Sequence, residues 1–300
     1  MACFATASWF VREFKTYAGA TASCALTTTA AGAAGARHVP PRQSCVACSL
    51  STAAGSPAGP ADRFNPKEPY NSIMRLLRGR ATDPETDFER TREMAETVAE
   101  DREPALRVWR PHRQVAFGRR DANSDGYDQA CRAARDRGYT VLERAVGGRA
   151  VAYTGSTVSF SLAVPTEDPR GTIDDRYEWA KAAVKRALDD RGITARTGEP
   201  DAAFCPGSHS IQADGKIAGL AQRVRQSVAV VGGIVVVRDH EAIAEVLAPI
   251  YEALDVPFDP QSVGSVANAG GTDDPEQVIA ALERSLADDR DVSVGTIRET

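Results

Sequence analysis

The sequence predicts a single α+β (mixed α/β) domain, a mixed and largely antiparallel sheet flanked by helices, and three features carry that expectation. Val228 to Val237 is a nearly continuous apolar run rich in β-branched residues, the composition of a strand buried on both faces. Asp174 to Arg191 sets Tyr177, Ala180, Val184, Ala187 and Leu188 along one side of a helix that Gly192 closes. Short strands, several of them consecutive, are mixed with such helices, the layer pattern of an α+β domain. No internal repeat and no second core is apparent.

In chain order, Thr82-Asp83-Pro84 is a helix start, with a capping residue, proline at the first helical position and acids in the first turn. Phe88, Thr91, Met94, Ala95 and Val98 then recur at helical spacing as one apolar face. Ala105 to Trp109 and Val115 to Phe117 read as strands around the Pro111-His112 turn, a candidate hairpin. Tyr127 to Arg137 is helical up to Gly138, and Tyr139 to Arg144, Ala150 to Tyr153 and Thr157 to Val164 are further strands. Ser210 to Ala213 and Ile217 onward form a hairpin around Asp214-Gly215. Two helices close the chain, Asp239 to Leu254 and Asp274 to Ala287, so that the domain spans 74–288 and 289–300 is a tail.

Residues 1–73 have another texture. From Tyr17 to Ala61 they are Ala, Thr, Gly, Ser and Pro with few large apolar side chains, too little to offset the entropy of ordering. They are expected to be disordered, or an extension upstream of a true start at Met74. Ala2 to Val11 meets Arg12, Glu13 and Lys15 at once, which breaks a secretory h-region, and the small-residue run that follows is too weakly apolar for a bilayer. A cytoplasmic protein without membrane partners is expected.

Charge points the same way. Of 300 residues 42% are apolar and 26% charged, enough for a sizeable core. Residues 1–73 hold six Lys or Arg against three acids, net +3, which leaves 30 basic against 38 acidic residues, net −8, in the body. An acidic body argues against nucleic-acid binding, which rests on clustered cations releasing counterions. Four of six cysteines fall in the first 73 residues, so no disulfide framework runs through the body, and the lone Cys45-x-x-Cys48 pair lacks the partner pair of a zinc site. No metal site is expected.

The chemistry concentrates in Phe204 to Val237. Cys205 precedes Pro206-Gly207, which favours an extended residue and then a turn, so its thiol should lie on a loop. A reactive thiol needs access and a nearby cation to draw its pKa below about 8.5. Lys216, on the Asp214-Gly215 turn, and His209 are the nearest candidates; a small buried hydrophobe and a solvated turn lysine are the plainer readings of Cys205 and Lys216. In the first half, Arg144, Gly147, Gly148 and Arg149 join two strands, where paired glycines let backbone amides approach an anion or a carbonyl oxygen. The loop has neither the dinucleotide nor the P-loop spacing.

With Arg144-x-x-Gly147-Gly148-Arg149-Ala150-Val151, then Cys205-Pro206-Gly207-Ser208, then Gly215-Lys216-Ile217-Ala218-Gly219-x-Ala221-Gln222-Arg223, the chain resembles the lipoate-protein ligase and octanoyl/lipoyl transferase superfamily, which shares the biotin/lipoate A/B ligase catalytic domain. The resemblance runs from about Met74 to Leu286 and includes the stretch from Arg107 to Arg120. It is closest to the branch with a Cys-Pro-Gly-Ser segment. It implies a domain that moves a lipoyl or octanoyl group onto a lysine of a lipoyl carrier domain, such as a glycine-cleavage H-like protein or the E2-like domain of a 2-oxoacid dehydrogenase, with an acylated carrier protein as donor. It further implies that Lys216 meets the carbonyl or phosphate end of the activated acyl group, and that Arg144, Gly147, Gly148, Arg149 and Gly219 line the pocket.

The superfamily divides by chemistry. Its ligases adenylate free lipoate with ATP and Mg²⁺, whereas its Cys-Pro-Gly-Ser transferases form an acyl-thioester and require no cofactor. Cys205 selects the second. Splitting the transfer through a thioester, itself a reactive acyl donor, needs no nucleotide, and His209 is a candidate base for the incoming amine. Where many relatives have histidine and then aspartate after the glycine loop, this chain has Tyr153-Thr154. Three readings stand at this stage: a Cys205-dependent acyltransferase, an ATP-dependent lipoate ligase in which Cys205 is incidental, and a non-catalytic carrier-binding protein.

Overall fold

Val228 to Val236 forms a central strand of the main sheet in the computed structural model, which describes residues 73–297 apart from 145–146, 169–171, 226 and 289. Nearly all of the expected N-terminal extension, with the Cys45-x-x-Cys48 pair, lies outside the described residues. The elements run β1 (Met74–Arg78), α1 (Pro84–Asp101), β2 (Ala105–Trp109), β3 (Gln114–Phe117), α2 (Arg119–Ala122), α3 (Tyr127–Arg135), β4 (Thr140–Glu143), β5 (Val151–Tyr153), β6 (Thr157–Pro165), α4 (Ile173–Asp189), β7 (Arg196–Thr197), β8 (Ser210–Gln212), β9 (Lys216–Val224), β10 (Val228–Val236), α5 (His240–Ala253), α6 (Pro275–Ala287) and β11 (Val292–Thr296).

The fold is the expected α+β class, and the main sheet is mixed and largely antiparallel as expected. Eight strands form one sheet in the order β11-β1-β2-β6-β10-β9-β8-β7, parallel across β11, β1 and β2 and antiparallel from β2 to β7. A second sheet holds β4-β3-β5. The hairpin expected around Pro111-His112 does not form, because β2 pairs with β1 and β6 while β3 crosses to the second sheet. The hairpin around Asp214-Gly215 does form, with a register shift between Ile211 and Gln212. The expected tail is also corrected: Val292–Thr296 supplies the backbone partner for the outer edge of β1, from Met74↔Val292 to Arg78↔Thr296.

One core lies between the eight-stranded sheet and the helices α4 and α6, through Ala183, Val184, Ala187 and Leu188 on the first and Val278, Ala281, Leu282 and Leu286 on the second. The opposite face of the sheet is covered at two places. At one end Met94 and Val98 of α1 pack on Ala105, Ala163 and Val228. At the other, the small sheet with α3 and α5 encloses Ile234 and Val236, a second core that the sequence had not suggested. Asp83 caps α1 by accepting the Thr86 N–H at 2.8 Å, as its motif predicts, yet Phe88 of the expected apolar face is 46% exposed. The buried stripe of that helix instead runs through Asp87, Met94 and Val98.

Between the two covered ends lies a strip of small residues. Residues opposite one another across antiparallel strands share a face, and Gly232 stands opposite both Ser161 on β6 and Ala221 on β9, with Ser159, Ile234 and Gly219 forming the next row. Gly232 and Ala221 remain accessible although β10 is an interior strand.

Arg107 ties α1 to the sheet from beneath. Its guanidinium is 0% exposed, donates to the Asp87 carboxylate and to the carbonyls of Asp87 and Gly79, and lies 4.2 Å from the Trp109 ring centroid. Burial pulls its pKa down and Asp87 opposes that pull. Because an unpaired buried charge is far costlier than a satisfied pair, Asp87→Ala is expected to lower unfolding free energy by about 3 kcal/mol or more in urea titrations. A loss below about 1 kcal/mol would mean that water reaches Arg107.

Candidate functional site

Lys216, at the start of β9, is 1% exposed, which removes the solvated-turn reading. An ammonium has three N–H donors, and here each finds an acceptor: Glu199 Oε1 at 2.8 Å, the Phe204 carbonyl at 2.8 Å and the Cys205 carbonyl at 3.0 Å. The Phe204 ring centroid lies 4.8 Å from Nζ, a cation–π contact. Gly219 faces the lysine stem, with Lys216 Cε 3.4 Å from where a Cβ would stand.

These bonds explain a departure from the sequence reading of Cys205. A residue before proline should be extended, but Cys205 has φ 41°, in the left-handed region. Its main chain is held there on both sides. Its N–H donates to the Tyr251 hydroxyl at 2.6 Å, and its carbonyl and the preceding one both accept from Lys216. Tyr251, buried on α5, donates its own O–H to the Ala150 carbonyl at 3.0 Å, so one hydroxyl joins the cysteine loop to the head of β5. Burial pushes the Tyr251 pKa up and keeps that hydroxyl neutral.

The glycine loop meets the thiol directly. The Arg149 N–H points at Cys205 Sγ at 3.4 Å, and a Cβ on Gly148 would stand 2.9 Å from the same sulfur and 3.7 Å from Arg144 Nη2. Gly148 has φ +97°, so both its torsion and its neighbours demand glycine. Gly147 is different, since a Cβ there would meet nothing within 4 Å. The two arginines are engaged within the protein: Arg144 Nη2 donates to the Arg149 carbonyl at 2.7 Å, and Arg149 Nη1 pairs with the buried Asp121 at 3.2 Å. Asp121 in turn accepts the Gly118 N–H at 3.0 Å, and Gly118 passes so close under the loop that its Cβ would lie 2.2 Å from the Gly148 carbonyl.

His209 is not brought to the thiol. Its ring stacks on Tyr177 of α4 with centroids 3.4 Å apart and planes 5° from parallel, and the charges acting on it are those of Lys181, Glu178 and Asp174. Burial, and then Lys181, draws its pKa below the usual value, and its Nδ1 is buried without a hydrogen-bond partner among the described residues. The other described cysteine, Cys131, sits in the second core, where burial pushes its thiol up. Glu199, Tyr251, Asp121 and Gly118 complete the site without having been singled out in the sequence. Their spacing from Cys205 carries no local motif, and Tyr251 sits where any core residue of an amphipathic helix would.

A cavity of about 490 Å³, lined by residues that include Arg78, Trp109, Arg110 and Glu276, lies on the β1–β2 side away from Cys205. Its arginines are engaged within the protein: Arg78 forks onto Glu283 and Arg110 donates to the Gly155 carbonyl. Among the described residues, no group of three or more His, Cys, Asp or Glu side chains is placed to hold a metal ion. None of their helices is long and apolar enough to cross a membrane.

A half-buried thiol beside the Arg149 amide, a buried lysine with three acceptors and a glycine loop leading into the three-stranded sheet thus sit together in an α+β domain built on an eight-stranded and a three-stranded sheet. Residues 83–287 match the family model of the lipoyl protein ligase A/B catalytic domain, and the chain belongs to that family. Among curated proteins it is similar to the octanoyl-[GcvH]:protein N-octanoyltransferase of Geobacillus kaustophilus, with 32% identity over 149 residues, 49% of this chain and 53% of that protein. The lipoyl-[GcvH]:protein N-lipoyltransferase of Listeria monocytogenes is 26% identical over 148 residues, 49% of this chain and 53% of that protein. The chain thus spans about half the length of the curated relatives it matches. A solved lipoate-protein ligase A bound with ATP shares the fold at TM-score 0.62 and 21% identity, over 76% of this chain and 90% of that one. A bipartite lipoate protein ligase from Thermoplasma acidophilum does so at TM-score 0.55 and 20% identity, over 76% and 88%.

Two substitutions probe the geometry. Gly148→Ala is expected to cost roughly 1–2 kcal/mol for its left-handed backbone, and to slow alkylation of Cys205 because the added methyl turns Sγ away from the Arg149 amide. Tyr251→Phe strips the Cys205 N–H and the Ala150 carbonyl of their partner, so chemical denaturation should register a loss of about 1–3 kcal/mol. Retention of wild-type stability would mean that water replaces the hydroxyl.

Proposed function

We propose that this protein transfers an octanoyl or lipoyl group to a specific lysine of a lipoyl carrier domain by way of an acyl-thioester on Cys205. The observation that carries this reading is the placement of Sγ, 3.4 Å from the Arg149 N–H, on a loop that Lys216 and Tyr251 hold in a left-handed conformation. The names of the similar proteins, transferases of octanoyl and lipoyl groups from GcvH, support the same chemistry.

In the first half-reaction the Cys205 sulfur attacks the acyl carbonyl of the donor carrier. The S–C bond forms, the bond to the donor's leaving group breaks, and the leaving group takes up the thiol proton. In the second, the amine of the acceptor lysine attacks the thioester carbonyl; the N–C bond forms, the C–S bond breaks and a proton returns to sulfur. Charge on the carbonyl oxygen in either step meets the Arg149 amide, fixed in advance by the Arg144 and Asp121 contacts. Lys216 acts on the sulfur through the main chain it grips, since its three protons are engaged. His209, whose ring stacks on Tyr177 of α4, is given no role in these steps. The accessible small residues Gly232 and Ala221, between α1 and the small sheet, take the acyl tail. Residues 74–288 with β11 form the catalytic unit, working in the cytoplasm on H-like and E2-like carrier domains, with neither ATP nor metal.

The test is acyl transfer from an octanoylated or lipoylated donor carrier to a lipoyl domain without nucleotide. Wild type should transfer and show an acyl adduct on Cys205 by mass spectrometry, and Cys205→Ala should lose roughly a thousandfold or more of the rate. Transfer that requires ATP and free lipoate and survives Cys205→Ala would identify a ligase instead. Binding of the carrier without transfer under either condition would identify a carrier-binding protein.

A further inference from the structure

Glu199 lies between β7 and β8, outside every motif in the sequence, yet its carboxylate touches both sides of the Cys205 turn. Oε1 accepts from Lys216 Nζ at 2.8 Å, while Oε2 accepts the Gly207 N–H at 3.1 Å and the Ser210 hydroxyl. The other two acceptors of Lys216, the carbonyls of Phe204 and Cys205, are neutral. A cation withdrawn from water stays in place only when its charge is matched, and of these three partners Glu199 alone carries an opposite charge. Its side chain keeps 22% of its surface exposed, so it spans from the buried ammonium to the rim of the loop.

We infer that Glu199 is a positioning residue for Cys205, which it holds through Lys216. With the carboxylate present, the ammonium stays between the two carbonyls, Cys205 keeps its left-handed backbone, and Sγ stays against the Arg149 amide. Without the charge, Lys216 leaves for solvent and Cys205 relaxes toward the extended conformation that a residue before proline prefers. The Gly207 contact adds a second hold, on the far side of Pro206. The inference rests on the reading of Cys205 as the acyl acceptor; alkylation of the free thiol, however, needs no acyl donor or carrier, so failure of acyl transfer and failure of this inference are separately visible.

The experiment measures iodoacetamide alkylation of Cys205 by peptide mass spectrometry on the folded full-length chain, with thermal midpoints recorded alongside. Glu199→Gln, similar in shape but uncharged, is expected to slow alkylation about tenfold, and Glu199→Asp, which restores the charge, to recover to within about threefold of wild type. Lys216→Met should be as slow as Glu199→Gln, and the double variant no slower than Lys216→Met. A Glu199→Gln protein that reacts as fast as wild type or faster, a Glu199→Asp protein as slow as Glu199→Gln, or a further loss in the double variant would overturn the inference. Should Glu199→Gln alone fail to fold, Lys216→Met against the double variant decides by itself, because replacing both members of a buried pair with neutral groups is commonly tolerated.

Discussion

The buried ammonium of Lys216 is the constraint on which the rest of the site depends. It is 1% exposed and has three N–H donors, so three acceptors converge on it, and two of them are consecutive main-chain carbonyls at Phe204 and Cys205. Turning both carbonyls toward one point bends the chain, and Cys205 takes the bend with φ 41°, against the preference that Pro206 imposes. The bend aims Sγ at the glycine loop. Gly148 must then lack a side chain, and Gly118 must lack one so that the loop can descend onto β3. One electrostatic requirement therefore fixes a cysteine, two glycines and a tyrosine hydroxyl.

Electrostatics also explains why an acidic body carries a cation-rich site. Lys216 is matched by Glu199 and Arg149 by Asp121, so each of these cations near the thiol has a carboxylate within hydrogen-bonding distance. The arginines that the glycine loop offers on paper to a ligand are braces inside the protein, and what the loop turns toward the sulfur is a backbone amide. A fixed amide needs no reorganisation when charge develops, which suits acyl chemistry better than a mobile side chain would.

The layers around the sheet give the site its place. Helix α1 and the small sheet cover the two ends of one face, and between them Gly232 and Ala221 remain accessible, while Ser161 in the same row is buried beside Arg107. Arg107 anchors α1 to the sheet through Asp87 and Trp109.

Local patterns in the sequence were enough for the class of fold and most helices, whereas Lys216, expected as a cation for the thiol, grips the Cys205 carbonyl instead. The cap at Asp83, the amphipathic stripe of α4, the hairpin at Asp214-Gly215 and the apolar run of β10 each act over a few residues, where spacing dictates structure. The same spacing is silent about which strand pairs with which. Hence the apparent hairpin at Pro111-His112 became two strands in two sheets, and an apparent tail became β11. Phe88 kept its helical spacing but lost its burial, because α1 rolls to bury Asp87 beneath Arg107. The burial of Lys216, the left-handed turn of Cys205, the removal of His209 to the face of Tyr177, and the entry of Glu199, Asp121 and Tyr251 were decided only by the tertiary structure. Each depends on satisfying a buried polar group from a distant segment, and a donor that must find an acceptor leaves no periodicity in the chain that supplies it.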